Sequence, residues 1–150
     1  MSGFANVESL GIIRDADEDN DAAFKSVCTG LRLAGLPEPP RPLDVTGGKP
    51  RISVFIMPDC QRPGRLETLC LLAVAEDPAM PCVKEYWGCL ERALPQGNRD
   101  VPRNREKAHL QAFLASRQKP GLRLGEAGEA GYWPFDHGAF QLVKDFLLAL

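Results

Sequence analysis

The chain has 150 residues, of which 44% are hydrophobic and 25% are charged, and its net charge is −2. This length and composition are typical of one globular domain with a sizeable hydrophobic core, and the near-neutral charge excludes a strongly basic protein that coats nucleic acid. Since no apolar run approaches the roughly 18 residues of a membrane span and no signal peptide is recognisable, we expect a cytoplasmic protein with no membrane partner.

The first predicted element is a short buried strand, residues 10–13, followed at once by a run of carboxylates. Asp15 and Asp17 stand one residue apart at its end. Alternate residues of an extended segment point the same way, so both side chains can converge on one hard cation. The competing interpretation is a solvated loop in which Asp19 or, preferably, Asp21 caps the next helix.

A helix and a second strand follow. Residues 21–34 carry apolar side chains at helical spacing, and Gly35 can supply a left-handed cap. Residues 36–50 are rich in Pro and Gly, which predicts a loop. Residues 51–57 form an apolar, β-branched run typical of a strand buried on both faces. Together these elements predict a βαβ unit with two parallel strands.

The second half of the chain is predicted to be helical. Helices are expected over about 65–77, 81–94 and 104–118, with a last helix beginning near Asp136. Residues 121–135 are predicted to be irregular, with Trp133 as a packing aromatic.

Two strands make a poor sheet by themselves. We therefore expect a third strand in residues 43–46 or 122–127, or strands that come from elsewhere.

Further acidic residues follow the second strand. Asp59 lies just beyond its carboxyl end, and Glu67 lies on the first turn of the next helix. Because carboxyl ends of parallel strands meet at one edge, we predict that these two residues join Asp15 and Asp17 as metal ligands. Carboxylates suit Mg²⁺, with Mn²⁺ as the alternative, and Mg²⁺ commonly acts on phosphates.

The charge is unevenly distributed along the chain. Residues 1–21 contain six acidic residues and one arginine, a net charge of −5. Residues 99–123 contain seven basic and two acidic residues, a net charge of +5. A metal site facing a phosphate-bearing substrate would use both regions, and Lys107 is the candidate that would face the phosphate. Two separate solvated surfaces are the alternative.

The five cysteines form no Cys-x-x-Cys pair. Their odd number and apolar surroundings predict reduced, buried thiols of a cytosolic protein. Neither His109 nor His137 lies at ligand spacing from a cysteine, so we expect no zinc site.

Two known acidic motifs match the first acidic run poorly. A calcium-binding EF-hand loop beginning at Asp15 would need Gly where Asn20 stands and Glu where Ser26 stands. A haloacid-dehalogenase phosphatase has Asp-x-Asp-x-Thr or Val after a strand, whereas Asp19 occupies the last position here.

Three segments together resemble the Toprim (topoisomerase–primase) superfamily, and more closely an uncharacterised bacterial and archaeal family related to it. They are LGIIRDADED, the stretch ISVFIMPD…PGRLETLCL, and KAHLQAFLASRQKPG with the later GYWPFD. They span most of the 150 residues. Asp-x-Asp alone is a weak motif, but its position after a strand and before MPD and GRLE makes the resemblance more specific.

The resemblance implies a Toprim-like three-layer α/β arrangement, with a small parallel sheet, flanking helices and a helical C-terminal half. In that family a glutamate after the first strand and an Asp-x-Asp after the third hold Mg²⁺ for phosphodiester cleavage or formation. By resemblance, Asp15 and Asp17 correspond to the Asp-x-Asp pair. Asp59, Glu67 and Lys107 match later acidic residues and a lysine of nucleases of the "overcoming lysogenisation defect" type.

One family feature is missing. No Val-Glu-Gly-like strand and glutamate precede residue 7, so the chain resembles a Toprim domain from its third strand onward. We expect either a fragment or a natural minimal form that pairs with itself or with a partner chain supplying the missing strands.

The resulting prediction is a single Toprim-like domain over 1–150, with a βαβ core and acidic edge in 1–78 and a helical extension in 79–150. The predicted function is Mg²⁺-dependent, nuclease-like phosphodiester chemistry on nucleic acid or a nucleotide phosphate. The alternative is a non-catalytic interaction or regulatory module that has lost the first glutamate.

Overall fold

The computed structural model describes residues 6–150, and within them the chain is a mixed α/β protein with two strands, six α-helices and one short 3-10 helix. The elements in chain order are β1 (Ser9–Asp15), α1 (Asn20–Leu33), β2 (Arg51–Met57), α2 (Leu66–Ala73), α3 (Met80–Gln96), α4 (Arg105–Ala115), α5 (Leu124–Glu129), the 3-10 helix (Gly138–Phe140) and α6 (Gln141–Leu148). The predicted α/β class is confirmed.

The two strands pair in parallel, in register from Ser9 opposite Arg51 to Asp15 opposite Met57. Since parallel strands need a crossover connection, α1 and the loop after it supply the connection, as predicted. Every residue of β2 after Arg51 is buried. This burial confirms that the apolar run marks a strand covered on both faces.

A helix packs on each face of this sheet. On one face, Ile52, Val54 and Ile56 form a core cluster with α1 residues such as Leu31. On the other face, the ring of Phe55 lies 5.4 Å from that of Phe146 in α6. This part of the chain therefore has three layers, a helix, a sheet and a helix.

The edge of β2 that faces away from β1 is covered by a loop. The N–H groups of Leu43 and Thr46 donate to the C=O groups of Val54 and Ile52, both at 2.9 Å. Residues 43–46 nevertheless form no strand, because Leu43 has a left-handed φ of 70° that interrupts an extended backbone. Of the two places suggested for a third strand, the first is thus an edge-covering loop, and residues 122–127 lie mostly in α5.

Two helices differ from their predicted bounds for local reasons. Helix α2 ends at Ala73 rather than near residue 77, and the chain continues in tighter turns, in which the Asp77 N–H donates to the Val74 C=O at 3.0 Å. The Asp77 side chain accepts a hydrogen bond from the N–H of Ala79 at 2.8 Å. Helix α5 lies in the region predicted to be irregular, and Glu126 caps it by accepting from the Arg123 N–H at 2.7 Å.

The predicted role of Trp133 as a packing residue is confirmed. Its side chain is 4% exposed and its ring stacks at 5.7 Å on Phe113. The indole N–H donates to the Leu124 C=O at 3.0 Å, so this polar atom is satisfied inside the core.

By their contacts the residues divide into two compact units. The first contains the described residues up to Leu69 together with Ala139–Leu150, and the second contains Cys70–Gly138. The segment 139–150, which we expected in a helical extension beginning at residue 79, thus returns to the unit that holds the sheet. Within residues 6–150, no helix is both long enough and apolar enough to cross a membrane.

The prediction that the cysteines are buried holds for only some of them. Cys28 and Cys70 are buried, whereas Cys82 and Cys89 are exposed on α3. These last two lie seven residues apart, so they share the outer face of that helix.

Candidate functional site

The end of β1 is shaped by a turn at Asp17. The Ala16 N–H continues the ladder to the Met57 C=O at 3.1 Å. Asp17 then adopts a left-handed φ of 54° and exchanges two hydrogen bonds of 2.9 Å with the backbone of Gly64. Asp17 therefore lies outside the extended strand, and the alternation that was expected to align it with Asp15 does not operate here.

Asp15 and Asp17 nevertheless border one cavity, whose volume is about 330 Å³. Four carboxylates and two guanidinium groups line it, together with three alanines. The charged residues are Arg14, Asp15, Asp17, Glu18, Asp19 and Arg65. The cavity is thus a mixed-charge site with a net negative lining.

Asp15 also has a structural role. Its Oδ1 accepts a hydrogen bond of 3.0 Å from the N–H of Leu66, the first residue of α2. The first N–H groups of a helix lack partners within the helix, and a negative charge there is favoured by the helix dipole. Asp15 thereby fixes the start of α2 to the end of β1.

Asp17 is paired with an arginine. The Arg65 Nε lies 2.5 Å from Asp17 Oδ1, and the side chains are 32% and 60% exposed. An ion pair this exposed contributes at most about 1 kcal/mol. A competing cation could therefore replace the guanidinium at little cost in stability.

Asp59 is engaged within its own loop. Its carboxylate accepts hydrogen bonds from the N–H groups of Gln61 and Arg62 at 3.1 and 2.8 Å, and it pairs with the Arg62 side chain at 2.6 Å. Burial acts to raise the pKa of Asp59, but the hydrogen bonds from Arg62 and Gln61 outweigh burial and the pKa is lowered. The residue closes a turn after the strand, which is a common role of Asp.

The other two predicted residues lie elsewhere. Glu67 is on the first turn of α2 and partly exposed, and like Asp59 it does not line the cavity as formed by the described residues. Lys107 belongs to the second unit, where its backbone N–H donates to the capping Asn104 and its side chain is exposed.

The predicted set of four metal-binding carboxylates is not assembled. Residues 6–150 contain no group of three or more His, Cys, Asp or Glu side chains placed to hold a metal ion. Of the four predicted ligands, only Asp15 and Asp17 line the same cavity. Mg²⁺ usually retains several waters and binds through one or two carboxylates plus substrate phosphates, so a pair fits an ion that is held jointly with a substrate.

Two arginines of this site were not identified from the sequence. Arg14 and Arg65 line the cavity, and no motif marks either of them.

The N-cap of α1 is Asp19, which accepts from the Ala22 N–H at 2.9 Å, rather than Asp21, which the sequence favoured. Since α1 begins at Asn20, one residue before the predicted start, the cap moves back as well.

Comparison with known proteins gives one result. No curated protein and no solved structure matches the chain. A family model described as "Protein of unknown function (DUF3226)" matches residues 1–150. The chain, matched over its whole length, therefore belongs to the DUF3226 family.

Proposed function

We propose that this protein carries out Mg²⁺-dependent, nuclease-like phosphodiester chemistry on nucleic acid. The observation that carries the proposal is the cavity at the carboxyl end of β1, where Asp15 and Asp17 lie beside Arg14 and Arg65. The carboxyl ends of parallel strands are where α/β proteins bind ligands. The resemblance of the surrounding segments to Toprim domains supports the same chemistry.

The side chains of the cavity divide between two tasks. Asp15 and Asp17 supply carboxylate oxygens for the ion, and Asp15 is held in place by the Leu66 N–H. Arg65 supplies a guanidinium group, whose planar N–H donors match phosphate oxygens. When bound, Mg²⁺ would polarise a phosphoryl oxygen and lower the pKa of a water.

The proposal gives no ligand role to Asp59 and Glu67, because neither lines the cavity. Lys107 as a phosphate-facing residue stays a prediction from the resemblance.

Metal binding can be tested apart from catalysis. Calorimetric titration with Mg²⁺ and with Mn²⁺ should detect binding to the wild type that is lost in Asp17→Asn. This substitution is conservative for the fold, since the Asp17 side chain is 60% exposed. Asp59→Asn is the matched control, because Asp59 also pairs with an arginine but lies outside the cavity, so its variant should bind as the wild type does. Equal binding by the wild type and Asp17→Asn would contradict the metal assignment.

Catalysis requires a second experiment. End-labelled single-stranded and duplex DNA and RNA are incubated with the protein and Mg²⁺. Cleavage should occur with the wild type and with Asp59→Asn, and should fall sharply in Asp15→Asn and Asp17→Asn, since the paired carboxylates hold the ion. Turnover that stays the same in both cavity variants would rule out this site.

The second candidate function is a non-catalytic interaction module. It is favoured by the engagement of the carboxylates within the protein, where Asp15 accepts from a helix N–H and Asp17 and Asp59 pair with arginines. Absence of both metal binding at millimolar concentration and cleavage, in a protein that is folded by circular dichroism, would support this candidate over the nuclease.

A further inference from the structure

Among residues 6–150, nothing pairs with one edge of the strand β1, and the hydrogen bonds at the strand's ends show which backbone groups lie at that open edge. The Glu8 C=O accepts from the Arg51 N–H at 2.9 Å, and the Ala16 N–H donates to Met57 at 3.1 Å. In a parallel pair every second residue bonds to the partner strand, so the even-numbered residues of β1 face β2. The N–H and C=O groups of Ser9, Gly11 and Ile13 therefore point away from β2, and within residues 6–150 no backbone hydrogen bond is made to them.

This open edge contrasts with the other edge of the sheet, where the loop at 43–46 bonds to β2. Natural proteins usually blunt exposed edges with lysine, proline or a bulge. Residues 9–13 contain no lysine or proline and pair in unbroken register, and the Ile13 side chain is 45% exposed. A sheet of only two strands is marginally stable by itself, and a further strand at this edge would extend it.

We propose that the occupant of this edge is a second copy of the same chain, paired antiparallel through β1. Because each copy contributes two strands, this pairing forms a continuous four-stranded sheet. The two-fold axis of the dimer passes between the two Gly11 residues. Gly11 lies opposite Gly11 of the second copy, and Ser9 lies opposite Ile13. Each of these opposed pairs exchanges two backbone hydrogen bonds, using the outward-facing groups.

The side chains select this register. It places Leu10 opposite Ile12 and Glu8 opposite Arg14, and by symmetry each pair occurs twice. The apolar pair extends the core on the α1 face, where Leu10 and Ile12 already pack. The charged pair is of opposite sign, which stabilises antiparallel strands. Sliding one strand by two residues would put Glu8 opposite Ile12 or Ala16 and lose the charge match.

Charge reversal tests both the occupant and the register. Sedimentation equilibrium of the full chain should show a dimer whose dissociation constant rises roughly tenfold in Glu8→Arg, because two like-charge pairs replace two opposite-charge pairs. The double variant Glu8→Arg/Arg14→Glu restores the opposite-charge pairs and should return the constant to near the wild-type value. Since Glu8 also pairs with Lys49 at 3.0 Å, Lys49→Ala is the control for loss of that exposed contact and should leave the dimer intact.

Backbone pairing is tested by Ile13→Pro. The Ile13 N–H points outward, so proline removes a donor of the dimer without removing a bond to β2. This variant should be monomeric with an unchanged far-ultraviolet circular dichroism spectrum, and Ile13→Val, which keeps the N–H, should remain dimeric. A wild-type chain that stays monomeric at all concentrations, or a dimer that survives Ile13→Pro, would overturn the proposal. Loss of the dimer in Glu8→Arg without rescue by the double variant would overturn it as well, because another register or occupant would then be present.

Discussion

Replacing Arg117 by alanine should destabilise the second unit strongly, because its guanidinium joins the end of α4 to the turn between α2 and α3. Arg117 makes two hydrogen bonds to the Asp77 carboxylate, at 2.8 and 3.1 Å. Its guanidinium also lies 4.3 Å from the centre of the Phe113 ring. The Arg117 and Asp77 side chains are each only 22% exposed, so solvent screens this pair far less than the surface pairs.

The magnitude follows from these contacts. Hydrogen bonds to a charged group contribute about 1.5–3 kcal/mol when one partner is removed. A partly desolvated cation–π contact adds about 0.5–1 kcal/mol. We therefore expect Arg117→Ala to lower the free energy of unfolding by about 2–4 kcal/mol. Arg117→Lys keeps the charge but loses the planar fork, so it should recover only part of this loss.

The assay uses the two tryptophans of the chain, Trp87 and Trp133, both of which lie in the second unit. Urea unfolding followed by tryptophan fluorescence therefore reports on the unit that contains Arg117. Arg105→Ala is the matched control, since Arg105 also lies over a ring, 5.6 Å from that of Trp87, but its pair with Glu91 is exposed and 3.9 Å long. The control should change stability by less than about 0.5 kcal/mol. Equal effects of Arg117→Ala and Arg105→Ala would refute the argument from burial and geometry.

Three other predictions follow from local contacts. Burial acts to raise the pKa of Asp77, but the hydrogen bonds from Ala79 and Arg117 outweigh burial, and the pKa is lowered. The ionised Asp77 therefore stabilises the folded protein fully above its pKa in the unfolded chain, which is about 3.9, and this contribution is lost as the pH falls through its pKa in the folded protein. The stability difference between the wild type and Asp77→Asn in urea should therefore shrink below that pH, and a constant difference would contradict this assignment. Asp19→Ala should cost about 1 kcal/mol because it removes the cap of α1, whereas Asp21→Ala should cost little, as measured by thermal unfolding followed by circular dichroism. A thiol reagent should label two exposed cysteines of the folded protein rapidly and two buried cysteines only when the protein unfolds. Rapid labelling of all four in the folded protein would contradict the burial pattern. The exposed pair is Cys82 and Cys89, and the buried pair is Cys28 and Cys70.

The elements that the sequence predicted correctly are those whose signal is local. The run at 51–57 is apolar at nearly every position, and it forms a strand buried on both faces. The stripe of α1 repeats at helical spacing, and Gly35 ends the helix with the expected left-handed φ of 69°. Burial periodicity and backbone preference act over a few residues, so a single sequence contains them. The parallel pairing followed because two strands joined by a helix have few other arrangements.

The sequence also marked Asp15 and Asp17 as candidates, since two carboxylates after a strand are visible in any sequence. It did not determine which groups would contact them. Arg65 stands 48 positions after Asp17, and the Leu66 N–H reaches Asp15 across 51 positions. Contacts between residues so distant in the chain depend on where β1 and α2 meet, and no local pattern specifies this.

By itself, therefore, the sequence determined the strands, most of the helices and the acidic character of the β1 end, because these depend on neighbouring residues. The tertiary structure alone decided that residues 139–150 return to the unit that holds the sheet, and that a loop covers β2 whereas the described residues leave the outer edge of β1 unpaired. It also decided that Asp59 and Glu67 lie outside the cavity that Asp15 and Asp17 line. Each of these outcomes depends on hydrogen bonds and packing between segments far apart in the chain, which are selected only when the whole chain folds.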